Sequence, residues 1–116
     1  MKQIIISLFI LLLCGCSNDN EARLESNYYI KYKAKAIKYK VVSKVQVTTE
    51  TGKQYLTPKT QIWEQTFGPV SKGFEAKIMV YDQMEYIEIY CSRGEEPFAL
   101  KASTSSGLNL NYTIDY

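Results

Sequence analysis

The segment from Leu108 to Tyr116 alternates apolar and polar residues along its whole length. Leucine, tyrosine and isoleucine occupy the even positions, and asparagine, threonine and aspartate occupy the odd positions between them. Because successive side chains of a β-strand point to opposite faces, this pattern predicts a strand that is buried on one face and solvated on the other. A helix would instead require apolar residues three or four positions apart.

The same period-2 alternation recurs along the chain, and no helical stripe accompanies it. The other alternating segments are 28–36, 44–48, 74–81, 87–92 and 98–102. Turn-forming residues separate the segments at 50–53, 57–59, 68–69, 93–97 and 105–107. This spacing predicts one all-β domain over residues 28–116, an antiparallel immunoglobulin-like β-sandwich of seven or eight strands. An OB-type barrel is the alternative fold.

The first predicted strand opens a stretch of thirteen residues, beginning at Tyr28, that contains five lysines and four tyrosines. Its even positions up to Ala36 form the apolar set, and its lysines face the other way. Beyond Ala36 the apolar set moves to Ile37, Tyr39 and Val41. This change of phase predicts a β-bulge or a tight turn.

The five lysines of this stretch, which include Lys31, Lys33 and Lys35, allow two hypotheses. Lysines on an exposed edge strand prevent edge-to-edge aggregation, and such edge protection needs no ligand, so it is the preferred interpretation. Alternatively, the lysines form a basic stripe that binds acidic glycan or lipid phosphate. The formal net charge of the whole sequence is only +2, which makes no case for a nucleic-acid partner.

Outward tyrosines mark a candidate binding surface. Tyr81, Tyr86 and Tyr90 fall on the polar phase of two strands predicted to form a hairpin, and Glu88 shares the face of the last two. Flat amphipathic surfaces of this kind recognise sugars or proteins, although cross-strand pairing alone also explains them. The candidate surface comprises Tyr81, Tyr86, Glu88, Tyr90, Lys31, Lys33 and Lys35, with Lys77 as an adjoining cation.

The remaining large aromatic residues are predicted to lie in the core. Four tyrosines share the phase of the apolar residues, and the single tryptophan is the expected core anchor. Cys91 lies in phase with Ile87 and Ile89, which predicts a small buried hydrophobe. The aromatic residues in this group are Tyr28, Tyr32, Trp63, Tyr112 and Tyr116.

The search for catalytic groups excludes most reaction classes. The sequence contains no histidine, which rules out histidine-based triads and zinc–histidine sites. It also lacks a Gly-x-Ser-x-Gly elbow, a phosphate-binding glycine-rich loop and a Cys-x-x-Cys pair. No pair of carboxylates is fixed across a cleft, as a glycosidase would need. The sequence predicts a protein that is not an enzyme, with no cofactor and no metal site.

The start of the chain resembles a lipoprotein signal peptide over residues 1–15. Its apolar run, 4–13, would rise only about 15 Å as a helix, which is too short to span a membrane. The sequence Leu13-Cys14-Gly15-Cys16 is similar to the bacterial lipobox. This resemblance implies cleavage before Cys16 and a diacylglycerol on its sulfur, so the membrane is an expected partner. An ordinary secretory signal is the alternative.

A polar tether is predicted at 16–27, after the lipidated cysteine. Its acidic, Asn- and Ser-rich beginning resembles the surface-export signal of Bacteroidota lipoproteins. This resemblance implies an outer-membrane protein, with the cell surface slightly favoured over the periplasmic face.

Five short segments of the predicted domain together resemble a family of small Bacteroidota envelope lipoproteins with an immunoglobulin-like sandwich, distantly similar to the MmpS transport-accessory domain. The segments are 29–32 (YIKY), 45–53 (VQVTTETGK), 63–67 (WEQTF), 72–76 (KGFEA) and 87–90 (IEIY). The resemblance implies an envelope location and transfers no catalytic residue. We therefore expect a lipid-anchored, non-enzymatic binding module for a glycan or a protein. The alternative is a structural accessory subunit of an envelope transport complex.

Overall fold

The computed structural model describes residues 27–116, and this part of the chain contains eight strands and no helix. The strands are β1 (Tyr28–Ala36), β2 (Val45–Thr49), β3 (Gly52–Leu56), β4 (Ile62–Val70), β5 (Glu75–Val80), β6 (Met84–Arg93), β7 (Ala99–Thr104) and β8 (Asn109–Thr113). The predicted signal peptide, the lipidation residue Cys16 and the tether up to residue 26 lie outside the described residues. Within the described range no helix is long and apolar enough to cross a membrane.

The eight strands form two antiparallel sheets of four strands each. The first sheet has the strand order β4-β1-β6-β7, and the second has the order β3-β2-β5-β8. The predicted all-β antiparallel sandwich is thus confirmed, with eight strands. Two features of this order bear on function. Strand β1 lies in the interior of its sheet, paired with both β4 and β6, while β5 and β6 belong to different sheets.

The core lies between the sheets and consists mainly of residues that the alternation places on the apolar phase, although Leu100 and Leu108 of that phase are exposed. Every second side chain of β1 is buried, from Tyr28 to Ala36, as predicted. Trp63 and Cys91 are buried too. Of the four tyrosines predicted in the core, Tyr28 and Tyr32 are buried, whereas two others are partly buried and pack against the cluster. These two are Tyr112 and Tyr116.

A tight turn follows β1, and it overturns the inward placement predicted for the next apolar residues. The Lys40 amide donates a hydrogen bond to the Ile37 carbonyl oxygen at 3.0 Å, and Tyr39 adopts a positive φ of 68°. This turn leaves Ile37, Tyr39 and Val41 exposed, with Tyr39 90% accessible. The chain returns to the core only at Val42. The predicted change of phase is therefore a turn, but its apolar residues point to solvent.

A bulge in β7 likewise corrects the predicted side of Leu100. Ile89 pairs with Ala102, whereas the next residue, Tyr90, pairs with Leu100, so Lys101 is the extra residue. One extra residue reverses the faces of the residues beyond it. Leu100 therefore lies on the outer face with half of its surface exposed, although the alternation predicts it inside.

The turn predicted at Gly68-Pro69 lies instead inside edge strand β4. Proline is tolerated there because an edge strand has one side with no ladder hydrogen bonds. Gly68 has a φ of 143°, and a Cβ added to it would lie 2.8 Å from the Tyr29 ring and 2.9 Å from the Tyr28 carbonyl oxygen. The glycine therefore permits the close approach of β4 to the start of β1.

Candidate binding surface

The structure brings six of the seven predicted surface residues together on the outer face of the first sheet. On neighbouring strands β1 and β6, Lys31 pairs with Tyr90, Lys33 with Glu88 and Lys35 with Tyr86. Directly paired residues of an antiparallel sheet lie on the same side, so these side chains form one surface. We call this surface the lysine–tyrosine face. Its members are Lys31, Lys33, Lys35, Tyr86, Glu88 and Tyr90.

Buried pairs on the opposite side of the same two strands explain this register. Ile30 faces Cys91, and Tyr32 faces Ile89, and all four side chains are fully or almost fully buried. A slip of one residue would move these apolar side chains to solvent and bury the lysines. Because burying an unpaired charge costs a large free energy, that register does not form. The core packing therefore determines which residues meet on the outside.

Aromatic rings flank the lysine ammonium groups along the face. The Lys31 Nζ lies 4.9 Å from the centroid of the Tyr90 ring and 5.0 Å from that of the Phe98 ring. The Lys33 Nζ lies 5.9 Å from the centroid of the Tyr86 ring. These separations fall within the range of cation–π attraction. Phe98 is an addition to the face, because the alternation of segment 98–102 predicts its side chain on the inward, apolar phase.

A carboxylate and a phenol on β6 are directly hydrogen-bonded. The Tyr90 hydroxyl donates to Glu88 Oε1 at 2.7 Å. This hydrogen bond is the largest of the causes that raise the pKa of Tyr90 to about 12. The phenol therefore remains protonated at neutral pH, and the bond holds the Glu88 carboxylate beside the lysines.

The neighbouring strands add apolar and acidic groups to the margins of the face. On β4, Glu64 pairs with Lys33 and Ile62 pairs with Lys35. Ile62 is 53% exposed, and Leu100 beside Tyr90 on β7 is 50% exposed. The face thus combines cations, aromatic rings and two exposed aliphatic side chains.

The position of β1 overturns the edge-protection hypothesis. Both sides of the strand already pair, one with β4 and the other with β6, so its backbone presents no open edge. Lys31, Lys33 and Lys35 project from the middle of the sheet and cannot shield an edge. The sequence could not show this, because strand order within a sheet does not follow from the position of a strand along the chain.

Tyr81 lies apart from the face, which corrects its predicted place on the surface. The predicted β5–β6 hairpin does not form, because the chain crosses from the second sheet to the first between these strands. The Tyr81 ring lies 4.8 Å from the Lys44 Nζ, and its hydroxyl donates to Gln46 Oε1 at 3.5 Å. Lys77 also projects from the second sheet, where it forms an ion pair with Glu75 at 3.8 Å.

The side chain of Tyr32 crosses the core, and its hydroxyl joins strands β2 and β5 of the opposite sheet. It donates to the Thr48 carbonyl oxygen at 2.6 Å and accepts from the Lys77 amide at 3.1 Å. These contacts lie where the direct pairing of β2 with β5, which spans Val45 to Val47, has ended. The alternation predicts Tyr32 in the core but carries no indication of this bridge.

Neither a metal-ligand cluster nor an exposed thiol occurs among the described residues. Within residues 27–116 no three histidine, cysteine, aspartate or glutamate side chains cluster to hold a metal ion. The Cys91 thiol is buried, and this burial raises its pKa, which disfavours the reactive thiolate.

Comparisons of the chain with protein-family models, with curated proteins and with solved structures found no significant match. The similarity to small envelope lipoproteins therefore stays a prediction from the short segments named above.

Proposed function

We propose that this protein is a lipid-anchored envelope lipoprotein that acts as a non-enzymatic binding module, with the lysine–tyrosine face as its docking surface for a protein partner. The observation that carries the proposal is the placement of three lysines in the middle of an exposed sheet. Lysine is depleted in strands, and neither burial nor edge protection accounts for it here. A surface with a partner gives these lysines a role.

The composition of the face favours a protein over a glycan as the partner. Tyrosine rings provide large rigid contact areas, and Ile62 and Leu100 add exposed apolar surface at the two margins. Lys35 forms an ion pair with Glu85 at 3.6 Å, whereas Lys31 and Lys33 form no ion pair within residues 27–116, so their end of the face suits acidic side chains. We therefore infer a partner whose contact surface combines apolar residues with carboxylates.

The predicted anchor would keep the domain close to the membrane. Between Cys16 and Asn27 a fully extended chain spans at most about 40 Å. Strand β1 begins directly after this segment, so a partner in or on the same membrane would lie within reach of the face. Mass spectrometry of the native protein tests the anchor. We expect a lipid mass on Cys16, and an unmodified cysteine would refute the anchor.

Affinity capture from solubilised membranes tests the docking surface. The bait variant carries Lys31→Glu, Lys33→Glu and Lys35→Glu. The matched control carries Lys44→Glu, Lys59→Glu and Lys72→Glu, three equal charge reversals at exposed lysines outside both the lysine–tyrosine face and the second sheet. We expect the wild type and the control to recover the same protein, and the face variant to lose it. Thermal denaturation of each variant verifies that it is folded.

Two results would contradict this proposal. Recovery of the partner by the face variant would show that the lysines do not contact it. Binding of an acidic glycan on an array, lost in the face variant and accompanied by no captured protein, would replace the protein partner with a glycan. A membrane transport complex among the captured proteins would instead favour the accessory-subunit alternative. In a separate experiment, protease treatment of intact cells would show on which side of the membrane the domain lies.

A further inference from the structure

A cleft of about 270 Å³ opens on the outer face of the second sheet, on the opposite side of the sandwich from the lysine–tyrosine face. It is lined by residues of β2, β3, β5 and β8. Its position follows from the sheet: the pairing of β2 with β5 ends at Val47 and Ile78, and the Tyr32 hydroxyl bridges the two strands just beyond. Two lining residues, Thr48 and Lys77, are the ones that it joins.

The polar lining of the cleft consists of amide, hydroxyl and ammonium groups. These side chains belong to Gln46, Thr48, Lys53, Lys77, Asn109 and Asn111. No carboxylate lines the cleft, and within residues 27–116 no hydrogen bond occupies the side-chain amides of Asn109 and Asn111. The ion pair of Lys77 with Glu75 is long and half exposed, so a competing anion displaces it at little cost.

We propose that this cleft binds an acidic sugar, a pyranose ring that carries a carboxylate. The two lysines would bind the carboxylate, since charge-assisted hydrogen bonds are stronger than neutral ones. The amides of Asn109, Asn111 and Gln46 supply donors and acceptors for ring hydroxyls. The volume lies just below the range of pockets for drug-sized ligands, which suits one sugar ring. The exposed side chain of Met79 offers an apolar contact for the face of the ring.

Nuclear magnetic resonance titration of the full chain in detergent micelles tests this site. The side-chain amide signals of Gln46, Asn109 and Asn111 report directly on the cleft. Glucuronic acid is the probe, with glucose as its uncharged match and acetate as a carboxylate without a ring. We expect saturable shifts of these signals with glucuronic acid, and weaker or unsaturated shifts with glucose and with acetate.

A matched pair of variants attributes the binding to the cleft. The double variant Lys53→Gln/Lys77→Gln is expected to raise the dissociation constant for glucuronic acid at least about tenfold. The control Lys59→Gln/Lys72→Gln, at two exposed lysines of connecting segments away from the cleft, is expected to leave it unchanged. The proposal is overturned by an absence of saturable shifts, by equal affinity for acetate, or by a cleft variant that binds as well as the wild type. None of these outcomes affects the capture experiment on the lysine–tyrosine face.

Discussion

The two outer faces of the sandwich arise from the same alternation but have different shapes. In the first sheet β1 and β6 are long and pair over the whole of β1, so the lysine–tyrosine face is continuous. In the second sheet the pairing of β2 with β5 covers Val45 to Val47, and a cleft opens beyond it. A continuous sheet face suits a macromolecular partner, whereas a cleft suits a small ligand. The length of strand pairing therefore decides which kind of surface an alternating strand presents.

Tyr32 belongs to the first sheet and contacts the second. Its backbone lies in β1, between the lysines of the first face, and its hydroxyl bridges Thr48 and Lys77 in the second sheet. Removal of its hydroxyl alone therefore removes hydrogen bonds beside the cleft and leaves the side chains of the lysine–tyrosine face unaltered.

The largest effect is expected from Tyr32→Phe. The change removes two hydrogen bonds at a fully buried side chain and leaves the Thr48 carbonyl and the Lys77 amide without this partner. We expect a loss of about 1–3 kcal/mol in the free energy of unfolding, measured by urea denaturation. Hydrogen exchange should accelerate at Lys77 but not along β6.

Tyr86→Phe is the matched control for this substitution, because it removes a tyrosine hydroxyl from the outer face. We expect it to change the free energy of unfolding by no more than about 0.5 kcal/mol. Equal losses of unfolding free energy in the two variants would show that the hydrogen bonds of the Tyr32 hydroxyl do not stabilise the second sheet.

Alkaline pH should also destabilise the fold. Burial is the largest cause that raises the pKa of Tyr32 and that of Tyr116 above their ordinary value near 10. From about pH 10 upward the unfolded chain loses these protons while the folded chain keeps them, so the free energy of unfolding decreases as pH rises. Denaturation measured from pH 8 to pH 11 should show this decrease, with a smaller slope in Tyr32→Phe. A stability that is constant or rises over this interval would contradict the assignment.

On the lysine–tyrosine face, Glu88→Gln should lower the pKa of Tyr90. The wild-type value of about 12 arises first from the hydrogen bond that the phenol donates to the Glu88 carboxylate. Loss of that charge should return the pKa towards 10, as followed by spectroscopic titration of the phenol. Glu64→Gln, which removes a more remote charge, is the control and should have a much smaller effect. A pKa unchanged by Glu88→Gln would mean that the bond is absent in solution.

The smallest effects are expected from the exposed ion pairs of the two faces. The Lys35 Nζ lies 3.6 Å from Glu85 Oε1 on the first sheet, and the Lys77 Nζ lies 3.8 Å from Glu75 Oε1 on the second. Because exposed pairs contribute little, Lys35→Gln and Lys77→Gln should each change the free energy of unfolding by less than about 1 kcal/mol. A loss of about 2 kcal/mol or more in either variant would show that its lysine supports the fold rather than a ligand.

Much of the fold could be predicted from the sequence, because burial in a sandwich repeats every second residue. The alternation correctly assigned the inward residues of β1 and β5 and the burial of Cys91, and the single tryptophan, Trp63, is buried as expected for a core anchor. It also placed Tyr86, Glu88 and Tyr90 on a common outer face, since residues two apart on one strand share a side.

What could not be predicted depends on contacts between distant parts of the chain. Strand order is decided by packing across the core, so the interior position of β1 and the separation of Tyr81 from Tyr86 left no local signal. The bulge at Lys101, which exposes Leu100, depends on pairing with β6 and was equally invisible. The cleft lies around the end of the β2–β5 pairing, between two strands about thirty residues apart, so no single segment of the sequence shows it.

Lysine footprinting in native membranes tests the central claim most directly. Acetylation followed by mass spectrometry would compare the lysines of the face with Lys59 and Lys72, which lie exposed in connecting segments. We predict that Lys31, Lys33 and Lys35 are labelled less in native membranes than in the purified protein, while the two reference lysines are labelled equally in both. Equal labelling of all five lysines in the two samples would contradict the account, because it would leave the lysine–tyrosine face without a partner.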